Sequence, residues 1–168
     1  MKAIAKRTAA EKRIGRHTRT TPRFRRILVP VDFSKCARRA LEYARELMAP
    51  PASELILLHV VEPMAYAAEL GLPSLAALPR PGDQEHGDRK RLARWHRRIA
   101  RTGVCIKAEL RAGQPYLEIT RAAKEFAVDL IVISTHGRTG LKHVFLGSTA
   151  ERVVRHAECP VLTLRCRP

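Results

Sequence analysis

Short apolar runs alternate with amphipathic stretches from Arg25 onward. Residues 27–31 (Ile-Leu-Val-Pro-Val) predict a strand, and residues 34–48 a helix, because Ala37, Ala40, Leu41, Ala44, Leu47 and Met48 recur at helical spacing. A second strand is expected over Glu54–Val61. Residues 84–101 place Leu92, Trp95, His96 and Ile99 on one stripe of an otherwise basic helix. Residues 104–110 form a weaker third strand ended by Gly113, and Pro115 opens a helix over residues 116–126, since a first-turn proline forfeits no helical hydrogen bond. Leu130–Ser134 is the most apolar run and has the β-branched character of a central strand covered on both faces. Ser148 is then expected to cap a helix whose stripe is Ala150, Val153, Val154 and Ala157, and residues 160–165 to form a fifth strand.

Strict alternation of strand and helix defines an α/β class with an open parallel sheet, helices on both faces and right-handed crossovers. At 168 residues the chain has room for one such domain, assigned to residues 25–168. Residues 1–24 lack hydrophobic periodicity and read as a basic flexible extension. Residues 62–83 carry Pro63, Pro73, Pro79 and Pro81 and are too long for a simple connector; they read as a loop, with a lid as the alternative. No apolar run approaches the length of a membrane-spanning helix, so membrane insertion is not expected.

The net charge of +16 is unevenly distributed. Residues 1–26 hold 10 basic and 1 acidic side chains, and residues 80–111 hold 10 and 4. Such segments attract polyanions without sequence preference, so nonspecific nucleic-acid contact through the basic arm is one reading. For Arg89, Lys90, Arg91, Arg94, Arg97, Arg98 and Arg101 the alternative is a solvated helix face, and no interleaved aromatics indicate single-strand stacking. The cysteines Cys36, Cys105, Cys159 and Cys166 contain no C-x-x-C pair, and a strand between the last two would hold them about 23 Å apart. With no secretory apolar core after Met1, a cytoplasmic location is expected, an organellar transit peptide being the compositional alternative. His156, Cys159 and Cys166 match no closed zinc set, and no metal site is predicted.

In open parallel sheets ligands bind beyond the carboxyl ends of strands. The first strand runs into Pro30, Val31 and Asp32, which puts a carboxylate where ribose hydroxyls could donate to it. The fourth runs into Ser134, Thr135, His136, Gly137 and Arg138, and after nine intervening residues Gly137 is followed by Gly147, Ser148 and Thr149 at a helix start. Free backbone N–H groups and the helix dipole make that start suited to phosphate, with the bland alternative of turns and a simple cap. His136, Arg138, Lys142 and His143 are either phosphate contacts or solvated loop groups. No Gly-Lys-Ser/Thr follows the first strand, so this is not a P-loop and no catalytic residue is assigned.

Taken together, Ile27-Leu-Val-Pro-Val-Asp-Phe-Ser34, Leu57-Leu-His-Val-Val61, the run from Asp129 to Gly140, the run from Leu146 to Val153 and Cys159-Pro-Val-Leu-Thr-Leu164 resemble the universal stress protein family over residues 25–166. The resemblance implies a Rossmann-like five-stranded sheet of the adenine nucleotide alpha hydrolase type, ordered 3-2-1-4-5. It also implies ATP as ligand, with Mg2+ as a possible companion. The phosphates would lie at Ser134, Gly137, Gly147 and Ser148, the ribose at Asp32, and the adenine among Val31, Val60 and Ile133. The first motif glycine is serine here, at Ser134. A homodimer through Val161–Leu164 is a further implication. The expected function is therefore an ATP-binding stress-response regulator, with at most slow hydrolysis or self-phosphorylation at Ser148 or a nearby hydroxyl. A nucleotide-independent interaction module tethered by its basic arm is the alternative.

Overall fold

The computed structural model describes residues 24–49, 53–62, 81–100, 105–135 and 146–165. The basic arm up to residue 23, most of the proline-punctuated stretch and residues 136–145 lie outside them. The described elements are β1 (Arg26–Pro30), α1 (Lys35–Glu46), β2 (Glu54–Val61), α2 (Pro81–Ala100), β3 (Cys105–Ala112), α3 (Pro115–Glu125), β4 (Leu130–Ser134), α4 (Ser148–His156) and β5 (Val161–Leu164).

All five strands are parallel and ordered β3-β2-β1-β4-β5, as expected. β1 sits at the centre, with Ile27 paired to Leu55 of β2 on one side and Leu130 of β4 on the other. Its uninterrupted apolar run follows from that position, because both faces are covered and Ile27, Leu28 and Val29 are fully buried. Strand alternation sends Ile27, Val29, Leu55 and Leu57 to the face shared with Ala40, Leu41 and Ala44 of α1 and Leu92 and Ile99 of α2. Leu28, Ile56, Leu58 and Ile131 face Ile119 and Ala122 of α3 and Ala150 and Val153 of α4. Burial of each such large side chain contributes about 1.5–3 kcal/mol.

The start of β1 is fixed from a distance. The Asp129 carboxylate accepts from the backbone N–H groups of both Arg25 and Arg26 at 2.8 Å, and Asp129 N donates to Arg26 O at 2.8 Å. This clamp sets the register between β1 and β4, and hence which residues emerge together at their carboxyl ends.

Several expected boundaries shift. α2 begins at Pro81, and β3 continues to Ala112, where Gly113 takes φ +148°, a value that favours glycine. Gly147, not Ser148, is the N-cap of α4; Ser148 is its first helical residue. Val154 does not join the buried stripe, because α4 packs through Ala150 and Val153 and leaves Val154 48% exposed. Cys105 and Cys159 are free thiols, whereas Cys36 is disulfide-bonded.

Candidate functional site

A crevice of about 410 Å³ opens beyond the carboxyl ends of β1, β2 and β4, where the strand order reverses. Its volume falls within the range of small-ligand sites. Pro30, Val31, Asp32, Val60, Ile133, Ser134, Thr135, Gly147, Ser148 and Thr149 all line it. The other residues singled out from the sequence around the glycine loop, His136, Gly137 and Arg138 with Lys142 and His143, lie outside the described residues.

The turn after β1 is built to present Asp32. Ser34 caps α1 by accepting from Ala37 N at 3.1 Å through Oγ, and Ser34 N donates to Asp32 Oδ1 at 3.0 Å. Between them Phe33 adopts φ +64°, a left-handed conformation that costs an aromatic residue strain. One carboxylate oxygen of Asp32 is thus committed to the turn. The other, Oδ2, is buried and has no hydrogen-bond partner among the described residues. Asp32 lines the crevice, and leaving a buried carboxylate oxygen unmet costs the desolvation of a charged group.

Opposite Asp32, the N-terminus of α4 closes the crevice. Gly147 N donates to Thr135 O at 2.8 Å, and a Cβ on Gly147 would meet that same carbonyl oxygen at 3.0 Å. The glycine therefore lets the helix approach the end of β4 closely, with Thr135 itself buried and its N–H donating to Leu164 O. Among the described residues no side chain caps α4, and Ser148 and Thr149 at the helix start line the cavity. Val31, Val60 and Ile133 supply apolar wall between the two ends.

A buried polar network forms the α2 side, and sequence reasoning missed it. His59 and Asp88, both nearly inaccessible, line the crevice with His59 Nε2 3.3 Å from Asp88 Oδ2. His59 Nδ1 lies 2.6 Å from Val31 O, which can only accept, so Nδ1 carries the proton there. Asp88 Oδ1 also accepts from Arg91 at 3.4 Å, and the Arg91 guanidinium lies 4.4 Å over the Phe33 ring. Phe33 in turn packs on His59 at 4.3 Å and edge-on to Trp95 at 5.7 Å. The strained Phe33 is held from three sides, which fixes Asp32 beside it. One signal was available: Asp88 stands four residues before Leu92, on the same stripe as Trp95 and Ile99. Gln84 of α2 and Pro115 and Ile119 of α3 complete the wall without any local sequence cue.

Burial pushes the Cys159 thiol up, assisted by the charges of Asp129 and Glu158, and Lys124 is raised by its 2.8 Å hydrogen bond to Glu158. His156 is used within its helix, donating from Nδ1 to Arg152 O at 2.8 Å while its ring packs on Tyr116. Among the described residues no cluster of three potential metal ligands occurs. No helix among them is long and apolar enough to cross a membrane.

A doubly wound sheet with a ligand-sized crevice at its order reversal defines a small-molecule-binding α/β domain. The sequence profile of the universal stress protein family matches residues 23–165, and the chain belongs to that family. It is 32% identical to universal stress protein YxiE of Bacillus subtilis, over 84% of this chain and 99% of that one. Universal stress protein MJ0577 of Methanocaldococcus jannaschii is 28% identical over 84% of this chain and 95% of its own. The solved MJ0577 structure superposes with a TM-score of 0.71, covering 85% of this chain and 96% of that chain. A family protein from Arabidopsis thaliana with AMP bound shares the fold at 23% identity and a TM-score of 0.56, over 84% of this chain and 92% of that one.

Proposed function

We propose that the crevice binds an adenine nucleotide, ATP with Mg2+ being the form expected, and that the protein is a stress-response regulator that hydrolyses it little or not at all. The observation that carries this reading is Asp32, which lines the crevice and whose buried Oδ2 has no hydrogen-bond partner among the described residues. The start of α4, where no described side chain caps the helix, suits the phosphates, and Val31, Val60 and Ile133 suit the flat apolar base. Gly147 keeps the close approach that a side chain would fill. The fold accommodates such a ligand in the Arabidopsis protein with AMP bound. His136, Gly137 and Arg138 belong to the same proposed set by sequence position.

Calorimetric titration of the nucleic-acid-free protein with Mg-ATP tests it. A hydrogen bond to a charged group is worth about 1.5–3 kcal/mol, so Asp32→Ala should weaken binding by roughly 10- to 100-fold. No heat from the wild-type protein, or equal affinity of the two proteins, contradicts the reading.

A further part of the proposal is assembly, in the cytoplasmic setting expected from the sequence. The β5 strand pairs with β4 on one side, and its four residues remain half-buried, so a second copy meeting that edge would give a homodimer. Light scattering at micromolar concentration reads this directly, and a monomer overturns it. The second reading of function, attachment to nucleic acid by the arm, is favoured by the 10 basic side chains against 1 acidic in residues 1–26. RNA retention that is insensitive to salt, or unchanged without residues 1–24, removes it.

A further inference from the structure

Acidic groups dominate the charge of the main crevice. Asp32, Glu62 and Asp88 line it, and among the described lining residues there is no lysine or arginine. Those carboxylates repel a phosphate chain and favour its placement toward the α4 side. A second cavity of about 140 Å³ adjoins it and shares Glu62, Pro115, Ser148 and Thr149 with the first. Arg152 lines this side cavity, and among the described residues it is the one lysine or arginine that borders either space.

Arg152 stands four residues after Ser148, on the same face of α4. Its guanidinium lies 5.2 Å from the centre of the Tyr116 ring, and the same ring packs against His156, whose Nδ1 is tied to the Arg152 carbonyl. The side chain is thereby propped on an aromatic platform. Neighbouring arginines are neutralised: Arg155 by Glu151 at 2.8 Å, Arg121 by Glu118 at 2.9 Å, and Arg111 by Glu125 at 2.6 Å. Arg152 has no carboxylate partner among the described residues. The side cavity has the volume of roughly four to five waters, enough for a phosphoryl group and too small for a second nucleoside.

We propose that Arg152 holds the terminal phosphate of a nucleoside triphosphate in this side cavity and so makes the site selective for phosphate-chain length. The inference rests on the adenine-nucleotide reading above. The planar guanidinium suits bidentate contact with phosphate oxygens. Glu62, at the boundary of the two cavities, opposes the same charge and limits the gain.

The test is titration of the full-length protein with AMP and with ATP, in magnesium, for wild type, Arg152→Gln and Glu62→Gln. Wild type should bind ATP more tightly than AMP. Arg152→Gln should weaken ATP by about 10-fold and leave AMP within about twofold, while Glu62→Gln should strengthen ATP relative to AMP. If Arg152→Gln weakens both nucleotides alike, or leaves the ATP to AMP ratio unchanged, the inference fails while the nucleotide reading stands. If wild type binds neither nucleotide, the nucleotide reading fails and this inference with it.

Discussion

Single residues carry the geometry of the crevice. Gly147 does so through what it lacks: its φ of −65° is open to any residue, so the requirement lies in the 3.0 Å distance from a would-be Cβ to the Thr135 carbonyl oxygen. That oxygen belongs to backbone and already accepts from Gly147 N–H, so it cannot yield cheaply. Gly147→Val should therefore displace the start of α4, cost about 1–3 kcal/mol of stability in urea unfolding and abolish ligand binding. Unaltered unfolding together with unaltered affinity would show that the close approach is dispensable. Asp32, Gly147 and Ser148 were legible in the sequence because a strand end and a helix start have local signatures. The cap falls on Gly147, one residue before the expected Ser148, since both residue types suit an N-cap and only the backbone separates them.

At the scale of elements, α2 shows where local pattern falls short. Its basic residues and weak stripe predict a helix with one face on the sheet, which is what Leu92 and Ile99 do. The stripe does not reveal that Asp88 meets His59 on β2, because the two residues are brought together by packing and not by spacing. Removing one member of a buried pair leaves the other uncompensated, at a cost of about 3–5 kcal/mol. Asp88→Ala should show that loss in denaturant unfolding and should alter the fluorescence of Trp95, the single tryptophan, which packs on Phe33. Asp88→Asn, whose amide can donate to His59 Nε2, should be milder. A loss below about 1 kcal/mol for Asp88→Ala would mean that the pair does not hold α2 against the crevice. The helix α4 teaches the same lesson from the outside: Val154 fits the periodic stripe, yet it stays exposed while Ala150 and Val153 are buried.

For the whole molecule, the alternation of strand and helix was enough to specify a parallel α/β sheet, and the resemblance supplied the order that the structure bears out. What could not be read was everything that depends on three elements meeting: the orphaned oxygen of Asp32, the strained Phe33 beneath it, and the side cavity between α3 and α4. The central proposal is that Asp32 receives the ribose hydroxyls of a bound nucleotide. The most direct measurement compares ATP with 2′,3′-dideoxy-ATP on the wild-type protein and on Asp32→Ala. The account predicts that the wild type binds the dideoxy form roughly 10- to 100-fold more weakly, in line with the loss of a hydrogen bond to a charged group, and that Asp32→Ala binds the two forms alike. Equal affinity of the wild type for both nucleotides would contradict it.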